Sequence, residues 1–196
     1  MSFLTTPLDN NDDGCSKVNN REGASTVDEN GHTKLHKAAE KGQCDIIAAL
    51  LKGGAKVNKQ DKLGMTALHY ATENGHTGAI ELLLNVGADI GATDKKKRTL
   101  LHCAAENGNS QVIEMLIKTG AEIDATGERD CTALHCASKT GNRAVVDVLV
   151  NNGADIGAKD EDGCTALHYA AEDGHCSVLE LLLDRAEKQR RDSAKL

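Results

Sequence analysis

A histidine returns every 33 residues along this chain, at His36, His69, His102, His135 and His168, and its surroundings return with it. Three positions before each stands Thr33, Thr66, Thr99, Thr132 or Thr165, and one before stands Leu35, Leu68, Leu101, Leu134 or Leu167. Two positions after comes Ala38, Ala71, Ala104, Ala137 or Ala170, and six after comes Gly42, Gly75, Gly108, Gly141 or Gly174. A fixed interval of this kind means that the chain is built from copies of one supersecondary unit, which constrains the architecture before any helix is assigned.

The unit can be read physically. Its threonine suits a helix N-cap, where a hydroxyl accepts from an orphan backbone N–H, and the glycine nine residues later supplies a left-handed helix end, so the first helix runs from Thr33 to about Lys41. Ile46, Ile47, Leu50 and Leu51 then form an apolar stripe of helical period closed by Gly53-Gly54, which predicts a second helix. The polar stretch Ala55 to Gly64 has Asp and Gly at turn positions and reads as an extended, hairpin-like loop. Neither helix reaches the ~12–15 residues at which isolated helices become marginal in water. One unit therefore needs its neighbours, and the stability of the array is roughly a sum over stacked pairs.

These residues resemble the ankyrin family, whose 33-residue unit carries a Thr-Pro-Leu-His-x-Ala core. The resemblance implies an all-α solenoid of stacked helix-turn-helix units with β-hairpin-like finger loops, the first helices lining a concave face beside the fingers. The units fall at 28–60, 61–93, 94–126, 127–159 and 160–186, with a flexible tail over 1–27 and a charged extension over 187–196. The family's proline is replaced by Lys34, Ala67, Leu100, Ala133 and Ala166, and alanine is the best helix former. The loop glycine present as Gly31, Gly64 and Gly163 is Lys97 in the third unit and Asp130 in the fourth, so turn geometry is expected to change there.

Composition narrows the function classes. The net charge of −7 and only three aromatic residues, Phe3, Tyr70 and Tyr169, disfavour nucleic acid, which needs cations against phosphate and rings to stack on bases. No run approaches the roughly 18 apolar residues of a membrane span, and the start lacks the pattern of a secretory leader, so a cytoplasmic or nuclear location is expected. Seven cysteines without close Cys-x-x-Cys pairs read as free thiols.

The pairs His36/Glu40, His69/Glu73, His102/Glu106 and His168/Glu172 invite a metal or catalytic reading. A catalytic site converges distinct roles on one point, whereas here one pair recurs along a stack whose helices lie about 8–10 Å apart. That is too far for successive histidines to share a metal at about 2 Å per ligand. No enzyme activity, cofactor, metal or small-molecule substrate is expected, and the histidines are assigned to hydrogen bonds with threonine and neighbouring loops.

What varies inside the constant frame is the remaining signal. The position after each histidine holds Lys37, Tyr70, Cys103, Cys136 or Tyr169, and the finger openings hold Lys62-Leu63-Met65, Lys95-Lys96-Arg98, Glu128-Arg129-Cys131 and Glu161-Asp162-Cys164. The family resemblance places partner contacts at such positions, so the expected contact set is Lys62, Leu63, Met65, Tyr70, Lys95, Lys96, Arg98, Cys103, Arg129, Cys136, Glu161, Asp162 and Tyr169. Lys95-Lys96-Lys97-Arg98 is the strongest local charge feature; it reads as a solvated loop, as an electrostatic contact with an acidic partner or as a nuclear-import signal. The leading function is a protein-interaction module or adaptor, monomeric, binding another protein or peptide. The alternatives are a targeting or inhibitory subunit of an enzyme, and a scaffold without a dedicated ligand.

Overall fold

The computed structural model describes residues 26–193. The expected tail therefore lies outside the described residues, except for Thr26 and Val27, and Val27 makes an isolated antiparallel bridge to Thr33. Each unit contributes a first helix of seven residues and a second helix that is nine residues long in the first four units. In chain order these are α1 (Lys34–Glu40), α2 (Cys44–Lys52), α3 (Ala67–Glu73), α4 (Thr77–Asn85), α5 (Leu100–Glu106), α6 (Ser110–Lys118), α7 (Ala133–Lys139), α8 (Arg143–Asn151), α9 (Ala166–Glu172) and α10 (Cys176–Ser193). The fold is the all-α repeat solenoid that the sequence period implies. No strand forms among the described residues, so the fingers are turns rather than hairpins with regular strands.

The histidine explains why so short a first helix holds. At the start of α1, Thr33 Oγ1 accepts from the His36 backbone N–H at 3.3 Å, while His36 Nδ1 accepts from the Thr33 N–H at 2.9 Å. This is a capping box with an imidazole in the place usually held by Glu or Gln, and it recurs at all five helix starts. With Nδ1 accepting, Nε2 carries the proton and points at the next unit. His36 donates to Met65 O at 3.1 Å, His102 to Cys131 O at 2.8 Å and His135 to Cys164 O at 3.2 Å.

The first helices stack in sequence, α1 on α3, α3 on α5, α5 on α7 and α7 on α9, and the second helices form a layer behind them, with α2 on α4, α6 on α8 and α8 on α10. Between the layers runs a column of fully buried Ile47, Ile80, Ile113 and Val146, beside Leu83, Leu116 and Leu149. Each such side chain contributes about 1.5–3 kcal/mol by leaving water, which replaces the missing aromatic core with many aliphatic increments. Buried Ala38, Ala71, Ala104, Ala137 and Ala170 keep the first helices thin. Helix α10 does not stop at the array boundary expected near residue 186 and continues to Ser193 as one 18-residue helix. No helix is long and apolar enough to cross a membrane among the described residues.

Candidate protein-binding face

Aspartates shape the fingers. Asp61 Oδ1 accepts from the Leu63 and Met65 N–H groups at 2.8 and 2.9 Å, and its Oδ2 accepts from Tyr70 Oη–H at 2.6 Å. Asp160 holds the fifth finger in the same way, through the Asp162 and Cys164 N–H groups and Tyr169 Oη–H at 2.6 Å. In the third finger Asp94 accepts from the Lys96 and Arg98 N–H groups, and Arg98 Nε stands at 2.8 Å where the others have tyrosine. In the first, Asp28 takes the Asn30 and His32 N–H groups and pairs with Lys37 at 2.8 Å. Burial alone would raise the Asp61 carboxyl, but the bonds from Tyr70, Met65 and Leu63 hold it below the ordinary carboxylate range. Burial and then the bonded Asp61 push the Tyr70 phenol upward, while for Tyr169 the bond to Asp160 leads and burial follows.

The fourth finger differs. Its anchor position is Gly127, and an added Cβ there would lie 3.0 Å from His102 Nε2. Without the aspartate the turn tightens into a short 3-10 segment, Glu128–Asp130, in which Arg129 and Asp130 adopt φ of 58° and 56°. Lys97 likewise takes φ 59° in the third finger, so Lys97 and Asp130, which stand at the glycine position, both accept the left-handed conformation held by Gly31, Gly64 and Gly163. Fingers are otherwise joined by backbone bonds, Lys62 N–H to Asn30 O, Lys95 N–H to Leu63 O and Glu161 N–H to Arg129 O, all at 2.9 to 3.0 Å. No such bond joins fingers three and four among the described residues. A Cβ on Gly64 would sit 2.8 Å from Lys95 N, and Lys97 carries a Cβ at the equivalent place, but so does Asp130, whose finger still bonds to finger five.

Of the expected contacts, Lys62, Leu63, Lys95, Lys96, Arg129, Glu161 and Asp162 are exposed, with Leu63 62% accessible. Three expectations are corrected. Met65 and Cys103 are 4% and 0% exposed, because the finger folds Met65 inward and Cys103 packs under its neighbours. Arg98 is turned back onto its own array, with Nε at 2.8 Å from Asp94, a terminal nitrogen 2.7 Å from Glu106 and the other 3.7 Å from Glu73. Burial opposes its charge, yet these carboxylates keep it firmly protonated. Glu73 and Glu106 of the first helices and Arg98 of the finger thus neutralise one another inside the molecule. Tyr70 and Tyr169 are half-buried with their hydroxyls engaged, so they present ring faces rather than free polar tips. Lys139, which sequence reading passed over, lies 5.7 Å above the Tyr169 ring. The anchoring aspartates were also passed over, although Asp28, Asp61, Asp94 and Asp160 keep the 33-residue interval.

Burial pushes the Cys103 and Cys136 thiols up to about 12, so both stay protonated rather than nucleophilic. Among the described residues no three His, Cys, Asp or Glu side chains are placed to hold a metal ion.

In comparison with known families, the one described as Ankyrin repeats (3 copies) matches residues 9–94, 35–127 and 101–192. The first match begins upstream of the unit expected to open at residue 28. No curated protein matches the chain in a direct sequence comparison. With the matches spanning nearly the whole chain and its period made visible as capped, histidine-linked helix pairs, the protein belongs to the ankyrin-repeat family.

Proposed function

We propose that the chain is a protein-interaction module that holds a partner protein or peptide against the side formed by its fingers and first helices, without catalysing a reaction. Ankyrin repeats are generally protein–protein interaction modules. The observation that carries the reading is the separation of roles. Threonines, histidines and aspartates that repeat are engaged in caps, cross-unit bonds and finger anchors, whereas Lys62, Leu63, Lys95, Lys96, Glu161 and Asp162, which differ between units, point to solvent.

Affinity capture from cell extract tests this, comparing the protein with a variant carrying Leu63→Glu and Lys96→Glu. Both sites are exposed, so the fold is expected to be kept and the co-purifying proteins lost. Recovery of the same proteins in equal amount would overturn the proposed face. As an enzyme subunit that targets or inhibits, the chain would use the same side, so this experiment also identifies that case by the protein recovered.

A further inference from the structure

The fourth unit leaves a hollow of about 250 Å³ between the fingers and the first helices. Its position is set by two substitutions in the repeat. Cys136 stands where units two and five place Tyr70 and Tyr169, and Gly127 stands where they place Asp61 and Asp160. Both halves of the tyrosine–aspartate pair that fills this space elsewhere are missing. In unit three the same space is covered by Arg98, folded onto Asp94. Unit four has no replacement, and its finger is unbonded to finger three on the side where the hollow opens.

The lining is cationic although the protein is acidic. Lys96, Arg98, Arg129 and Lys139 face Glu106 and Glu128 across it. Arg98 is held by three carboxylates, and Arg129 pairs with Asp162 and Glu161. Lys96 and Lys139 form no ion pair among the described residues, and Tyr169 gives the hollow an aromatic wall beneath Lys139. Burial holds the lining histidines neutral, so they add no cation, and keeps the Cys136 thiol protonated, so it adds no anion.

Resting on the reading of this side as the partner-binding face, we propose that the hollow over unit four receives an aspartate or glutamate side chain of the bound partner peptide, its carboxylate meeting Lys96 and Lys139. Two ammonium groups on opposite elements that meet no carboxylate of their own chain are the donors such a group needs, and enclosure by Tyr169 and Cys136 strengthens the attraction relative to open water.

Selection from a displayed library of random peptides tests the assignment. Peptides recovered by the protein are expected to be enriched in Asp and Glu, and their affinity to fall about tenfold or more in Cys136→Tyr, which refills the space as units two and five do, and in Lys96→Glu with Lys139→Glu. The lysine variant alters exposed side chains and carries the test if Cys136→Tyr does not fold. Peptides that lose affinity with Leu63→Glu but bind both hollow variants unchanged would overturn the hollow and leave the face standing. Recovery of no peptide, or of peptides indifferent to every variant, would overturn both.

Discussion

Finger two and finger four occupy equivalent places in one repeat, yet they are held by different means. In finger two a buried carboxylate gathers two backbone N–H groups and a phenol, and the Gly64 turn lies close enough to finger three for a backbone bond at 2.9 Å. In finger four a glycine replaces the carboxylate, two successive residues take left-handed conformations, and no backbone bond reaches back to finger three among the described residues. The helices beneath are capped alike in both. A repeat can therefore keep its frame while the loop of one unit loses its carboxylate anchor and takes another turn.

The largest expected effect comes from making finger two resemble finger four. Asp61→Ala removes charge-assisted bonds to Leu63, Met65 and Tyr70 and is expected to lower stability in urea by about 3 kcal/mol. A loss below about 1 kcal/mol would show that the anchor adds little beyond the turn itself. Acid comes next and separates the two contacts beneath the fingers. Burial lowers His69 from its ordinary value to about 4, and its Nε2 has no protein partner, unlike His102, which donates to Cys131. A base depressed in the folded state binds more protons when unfolded. Its stabilising contribution is thus complete above about pH 6.5 and lost as pH falls toward 4, amounting to about 2 kcal/mol at pH 5. Hydrogen exchange at pH 5 against pH 7 is expected to show the contact of units two and three opening first; uniform change along the array would contradict this.

Smaller effects are gains. Ser138 in unit four has a buried hydroxyl without a protein partner, where unit one has Ala39 and unit three Ala105. Ser138→Ala is expected to raise stability by about 1 kcal/mol, read as an upward shift in Tm; a decrease would show that the hydroxyl is satisfied in solution. Lys97→Gly relieves a left-handed non-glycine residue and removes the Cβ facing finger four. A gain of about 0.5–1 kcal/mol is expected, with slower exchange at the Glu128 amide as the fingers join. Unchanged exchange there would mean that Gly127, not Lys97, keeps the two apart.

The frame was legible in the sequence because it repeats: helices beginning at Lys34, Ala67, Leu100, Ala133 and Ala166, a shared core, and histidines placed for hydrogen bonding rather than for chemistry. The face was less legible because side-chain direction depends on what competes for each group. Arg98 reads as part of a basic run, yet Asp94, Glu106 and Glu73 surround it, and only stacking brings Glu73 of one unit beside Arg98 of the next. Met65 shares its segment with exposed Leu63, but the Asp61 turn sends the two in opposite directions. The turn was expected to change at Lys97 and at Asp130: Lys97 keeps the left-handed, aspartate-anchored turn of Gly64, whereas at Asp130 it changes, with Arg129 following, because the aspartate at 127 is missing.

His36, His102 and His135 each fasten their unit onto the one ahead, whereas His69 and the exposed His168 have no carbonyl to receive Nε2–H among the described residues. Opening of the array must break a ring-to-backbone fastening where His36, His102 or His135 joins two units, and it meets none of this kind at His69.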